Sequence, residues 1–286
     1  MGSKTKIDWC DATWNPVTGC LHGCEYCYAR RIAERFGGGG NPIDYMSVVN
    51  GTGIYVCNHQ IFKDNGAKAS YPFDFAPTFH RYRLDIPAHW TKPRTIFVCS
   101  MADLFGEWVP DSWIKEVFAA CEKAPQHRYL FLTKNPKRLC NMATAHSIRK
   151  WNAKHPDRPA KETEEFQNVT PLPVHDNWWF GCSLDNKNAL RFQGGYTWHT
   201  FTSIEPIMEF MNMGLGSFGD DKWTIIGAET GNRRGKVTPK REWVYNILEA
   251  ANITGVKVFM KESLRELMGA DFRQEFPWDM ETSDKT

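Results

Sequence analysis

The chain has 286 residues, 42% of them apolar and 24% charged, enough to bury one large α/β domain or two ordinary ones. A net charge of only +2 creates no overall field that demands a nucleic-acid or membrane partner. Nine cysteines without a secretory leader, and no apolar run near the ~18 residues of a membrane span, speak against a disulfide framework and against a membrane protein. A cytoplasmic globular protein is the expectation.

Residues 7–10 read as a first strand, followed by a loop that Pro16 and Gly19 punctuate. Cys20, Cys24 and Cys27 come next in a C-x3-C-x2-C array, with Tyr26 directly before the last. Thiolates packed so closely are soft ligands suited to an iron–sulfur cluster or to zinc. A cubane cluster normally takes four thiolates, so three leave one iron open to a small molecule. His22 supplies the plainer alternative, a closed Cys3His zinc site. Residues 25–36 then turn helical, with Tyr28, Ile32 and Phe36 at i, i+4 and i+8, and four glycines end the helix at 37–40.

Residues 37–94 show no clear period and carry Pro42, Pro72, Pro77, Pro87 and Pro93. A stretch so long and irregular reads as an insertion or lid over one face, anchored by Phe73, Phe75, Phe79 and Trp90; a decorated surface loop is the plainer reading. Beyond Pro93 a rhythm begins. Strands are expected at 95–99, 129–132, 178–182, 200–203, 223–226 and 256–260, and helices at 111–122, 137–150 and 242–251. Residues 152–177 read as a second, polar insertion. Strands alternating with helices predict one α/β domain over 1–286, a parallel (β/α) barrel, partial or near-complete.

Polar residues follow each expected strand. In a barrel the C-terminal strand ends gather at one rim, where the catalytic groups sit. Asp185 and Thr230 suit helix caps. Lys134, Glu205, Glu229 and Lys261 are candidate catalytic residues, because a charge ending an apolar strand is costly if buried unpaired. Pairs Glu205–Lys134 and Glu229–Lys261 within the mouth are the structural alternative.

The cysteine spacing and Tyr26 resemble the radical S-adenosylmethionine (SAM) superfamily. The resemblance implies a [4Fe–4S] cluster on Cys20, Cys24 and Cys27 whose open iron chelates SAM, and a reducing partner such as flavodoxin or ferredoxin. Reductive cleavage then yields methionine and a 5′-deoxyadenosyl radical. It implies further that Tyr26 lies beside the adenine. By position, Ser100 and Asp103 stand where the SAM amino group is held, though without the usual Gly-Gly-Glu. Ser183 and Asp185 stand where ribose or carboxylate is held, and Gly227 where backbone approaches the adenine.

Longer stretches, from Trp9 through Trp14 to Cys20, at 96–105, 124–127, 132–136 and 203–206, and at 225–231, resemble a phage- and prophage-associated, radical-SAM-like family without an assigned reaction. Many of its members carry a longer spacer between the first two cysteines, whereas Cys20 and Cys24 have three residues between them. A nucleic-acid or nucleotide substrate draws on that association and on the basic run Arg233, Arg234, Lys236, Lys240 and Arg241. Trp14, Trp178 and Trp179 would then stack on an extruded base; core tryptophans and a solvated charge run are the bland reading. A peptide or small-metabolite substrate fits the near-neutral charge equally, and a metal-stabilised binding module is the non-enzymatic alternative.

Overall fold

The computed structural model describes residues 5–41, 45–49, 51–158, 164–184 and 191–280. In chain order the main elements are β1 (Ala12–Trp14), β2 (Val17–Thr18), α1 (Tyr28–Phe36), β3 (Met46–Val49), β4 (Thr52–Cys57), β5 (Thr78–His80), β6 (Thr95–Val98), α2 (Asp111–Glu122), β7 (Arg128–Thr133), α3 (Pro136–Lys154), β8 (Trp178–Ser183), β9 (His199–Ile204), β10 (Trp223–Ile226), α4 (Arg241–Thr254) and β11 (Lys257–Met260).

Seven strands form one sheet in the order β1-β6-β7-β8-β9-β10-β11, every neighbouring pair parallel. Spatial order equals chain order, as when successive crossovers wind in one direction. β1 and β11 are the edges, so the sheet is an open half-barrel. Period-2 alternation divides its side chains between two faces. Phe97, Leu130, Trp179, Phe201, Trp223, Ile225 and Phe259 share one face with Trp9. Phe131, Trp178 and Phe180 pack on Ile114, Val117 and Phe118 of α2 and Leu139 and Met142 of α3. Ile204, Ile226 and Val258 pack on Val244, Ile247 and Leu248 of α4. Burial on both faces explains why these strands read as unbroken apolar runs.

The first strand departs from expectation: β1 is Ala12–Trp14, not 7–10. Trp9 instead turns its ring into the helix-free face, 4.6 Å from Phe97 and 6.2 Å from Trp223. The helix after the cysteines starts at Tyr28 rather than 25, because the Cys27 thiol caps it by accepting the Arg30 N–H at 3.3 Å.

Residues 37–94 are more regular than their composition suggests. They supply β3, β4 and β5 to a four-stranded sheet in the order β2-β5-β4-β3. Its strand β2 precedes the cysteines, so the pairing is non-local and leaves no period in the insertion itself. Phe73, Phe75 and Phe79 are buried, and Trp90 packs half-buried on the core. In the second insertion α3 runs on to Lys154, and Thr170 donates from N and Oγ1 to Asp111 Oδ2 at 2.7 and 2.6 Å.

The tail returns to the sheet. Met260 N–H donates to the Arg273 carbonyl at 2.9 Å and Glu275 N–H to Val258 at 3.0 Å, laying 273–275 antiparallel along β11. Phe276 and Trp278 then cover the helix-free face.

Asp221, before β10, is buried and accepts a short hydrogen bond from Thr202 Oγ1. Burial pushes its carboxyl up to about 6. A folded-state value above the unfolded one favours the protonated form, so the associated stability is full below about pH 4 and is lost as pH rises through about 6. Asp221→Asn should match wild type near the acid end and exceed it by up to ~3 kcal/mol at pH 8 in chemical denaturation. Parallel pH profiles for the two proteins would contradict this.

Candidate functional site at the strand C-terminal ends

The cysteine loop is held by backbone before any side chain acts. Gly19, at φ +86°, donates its N–H to Met101 O at 2.9 Å, and a Cβ there would lie 2.2 Å from the Ala76 carbonyl oxygen. Only glycine satisfies both demands. Cys20 N–H donates to Phe75 O at 3.3 Å and Cys27 N–H to Cys24 O at 3.2 Å. The loop thus enters at β6 and leaves at the start of α1.

Cys20, Cys24 and Cys27 all line one cavity of about 560 Å³. They are partly exposed, whereas Cys57, Cys99, Cys121 and Cys182 are buried elsewhere. Burial pushes the Cys20 thiol up to about 12, so capture of its thiolate by a metal must displace a proton.

Strand ends ring the same cavity: Ser100 and Asp103 after β6, Lys134 after β7, Ser183 closing β8, Glu205 after β9, Glu229 after β10 and Lys261 after β11. Tyr26 joins them from the loop. Gly227 lies just outside the lining; the space a Cβ would fill there is approached to 3.0 Å by the Lys261 stem. Asp185 falls outside the described residues.

The charged partners differ from those expected. Glu205 pairs with Lys261, neither with Lys134. Glu229 is buried and takes a two-pronged contact from Arg233, Nε to Oε1 at 2.7 Å and the terminal nitrogen to Oε2 at 2.8 Å. Arg233 holds that carboxyl below the usual carboxylate range. Lys134 Nζ donates to the Tyr26 hydroxyl at 3.0 Å. Glu205 and Lys261 meet across the end of β10, whereas Glu229 and Arg233 are four residues apart in one loop.

Three residues between the cysteines are each tied to a different strand end. His22 Nε2 meets Asp103 Oδ2 at 2.7 Å, Tyr26 meets Lys134, and Glu25 lies 3.7 Å from Arg233. Asp103 is buried, and its oxygens also accept from Thr133 Oγ1 at 2.7 Å, Lys134 N–H at 2.9 Å and Phe105 N–H at 3.0 Å. It therefore braces the cysteine loop while forming part of the cavity wall. The His22 ring is further fixed edge-on against Trp108 at 5.0 Å.

Among the described residues, no three His, Cys, Asp or Glu side chains converge where a single metal ion would bind. A polynuclear cluster spreads its thiolates over separate irons, and three thiols facing a shared space, one with a backbone N–H on its sulfur, suit that donor chemistry.

Sequence reasoning passed over Asn15, whose Oδ1 accepts from Ser100 Oγ at 3.2 Å and Met101 N–H at 3.0 Å, and Tyr28, whose hydroxyl donates to Ser100 O at 2.6 Å. Both line the cavity, as do Trp9, Tyr71, Phe75 and Phe97. Trp14, Trp178 and Trp179 are at most 3% exposed, so no base stacks on them; they are core. In the basic run Arg233 is committed to Glu229, and Arg241 to Asp271 at 2.8 Å, while Arg234, Lys236 and Lys240 are exposed. No helix among the described residues is long and apolar enough to cross a membrane.

No curated protein and no solved structure matches the chain. Its residues 4–266 match the family described as "Protein of unknown function (DUF5131)", and the chain belongs to that family.

Proposed function

We propose that the protein is a radical SAM enzyme acting on a nucleobase or nucleotide. The observation that carries this reading is the meeting of three cysteines and Tyr26, all from one loop, in a single cavity ringed by the C-terminal ends of parallel strands. A [4Fe–4S] cluster bound by Cys20, Cys24 and Cys27 would supply the electron that cleaves SAM to methionine and a 5′-deoxyadenosyl radical, with a flavodoxin- or ferredoxin-type donor as its source.

The chain's own residues have separable tasks. Asn15, Ser100 and Ser183 offer neutral polar groups for the ends of SAM, and the Tyr26 ring offers a flat face for its adenine. The Glu205–Lys261 pair and Glu229 orient substrate across the cavity, and Lys134 fixes the Tyr26 ring. Trp9, Phe97, Tyr71 and Phe75 exclude water and give a base apolar surfaces to lie against.

Anaerobic turnover with SAM, a reductant and candidate substrates tests the reading, scoring 5′-deoxyadenosine and deuterium transfer from labelled substrate. DNA, RNA or nucleotides should stimulate cleavage and donate deuterium. Stimulation by a peptide or metabolite alone would leave the radical chemistry and remove the nucleic-acid assignment.

Tyr26 gives a finer check. Tyr26→Ala should weaken SAM binding by ~1 kcal/mol or somewhat more, the worth of an aromatic contact. Tyr26→Phe keeps the ring and loses the acceptor for Lys134, so its cost in calorimetric titration should stay below ~1 kcal/mol. Equal losses in the two variants would assign the effect to the hydroxyl.

A further inference from the structure

The chain's positive charge is not spread evenly. Residues 25–36 and 229–241 together hold eight Arg and Lys against three Glu, whereas the whole chain is only +2. Everything outside these two segments is therefore net negative. The segments are neighbours: Arg233 lies 3.7 Å from Glu25, and the Arg31 guanidinium packs 3.2 Å from the point where a Gly231 Cβ would stand. Together they form one basic surface beside the cavity.

That surface also carries an apolar stripe. Tyr28, Ile32 and Phe36 follow one another along α1 and are exposed, Phe36 to 54%. The first two line the cavity, so the stripe leads outward from its mouth. Arg31 and Arg35 flank the stripe, and both are exposed. At 1.5 Å per residue the nine residues of α1 extend about 13 Å, the length of roughly two nucleotides of extended single strand.

We propose that this surface binds single-stranded nucleic acid, with phosphates on Arg31, Arg35, Arg234 and Lys236, a base against Phe36, and the adjoining nucleotide entering the cavity past Ile32 and Tyr28. The proposal deepens the nucleobase reading above and rests on it for the purpose of the bound strand. A positive groove interleaved with apolar and aromatic faces is how proteins hold single strands without reading sequence. Arg233 is excluded from phosphate contact by Glu229, and Arg241 by Asp271. The strand therefore runs along α1 rather than along the whole basic run.

The test is fluorescence anisotropy of labelled single-stranded DNA and RNA oligonucleotides of roughly ten nucleotides on the full chain, over a range of salt. Binding requires neither metal nor SAM. The Arg31→Ala/Arg35→Ala/Arg234→Ala variant should bind at least tenfold more weakly, and its slope of log K against log salt should fall by about two. Phe36→Ala should weaken binding several-fold with the slope unchanged, as expected for loss of stacking alone. Unchanged affinity and slope in the triple variant would overturn the proposal, as would displacement of the oligonucleotide by duplex at equal charge concentration. Absence of oligonucleotide binding, with an acidic flavodoxin-type protein binding at these arginines, would reassign the surface to electron delivery. Retained binding in a protein that never cleaves SAM would remove the enzymatic reading and leave this one standing.

Discussion

Alanine at any one of Cys20, Cys24 and Cys27 is expected to leave a folded protein without a reducible cluster. Iron and sulfide per chain after anaerobic reconstitution should fall to background, and the reduced protein should lack the EPR signal of the wild type. All three cysteines are only partly buried, so denaturation midpoints should move little. Cys57→Ala and Cys121→Ala should behave oppositely. Both side chains are fully buried, so each costs stability through lost packing while iron content stays normal. Chelation should likewise spare the fold, since the core does not depend on metal; a zinc-built domain would unfold. Normal iron content in Cys24→Ala would sink the cluster assignment.

The largest loss of stability is expected from Trp223→Ala. The Trp223 ring lies 5.6 Å from Phe201, 5.8 Å from Phe276 and 5.2 Å from Trp278, and its Nε1 donates to Glu275 O at 2.8 Å. Truncation opens a cavity at the centre of the helix-free face and releases the tail that covers it. Burial of this kind predicts a loss of ~3–5 kcal/mol, read from urea denaturation. A cost under ~1 kcal/mol would mean that the neighbouring rings collapse into the gap and that this face is loosely packed.

Six of the seven parallel strands were legible because burial on both faces makes each an unbroken apolar run. The first was not. Residues 7–10 alternate well enough to resemble a strand, but the pairing with β6 falls on Ala12–Trp14, set by what Trp9 must bury rather than by local pattern. The cysteine loop and the polar residues after each strand were legible for a topological reason, since parallel strands deliver all their C-terminal ends to one rim. Which acid meets which base was not. Glu205 and Lys261 end strands on either side of β10, and they meet because Gly227 leaves room for the lysine stem. Asn15 escaped notice because an uncharged amide before a proline looks like ordinary loop; its role arises only when its Oδ1 collects Ser100 and Met101.

An open half-barrel carries a hazard that a closed one lacks. Each edge strand presents a row of backbone donors and acceptors to which another chain can add a strand. At β11 that row is already occupied, because residues 273–275 lie along it as a short antiparallel strand of the protein's own making. At the other edge β1 is only three residues long, too short to seed a ladder of consequence. The gap between the edges can thus stay open to a bulky ligand without inviting edge-to-edge polymerisation. Protection of the β11 edge is accordingly a property of residues 273–275 rather than of the sheet itself.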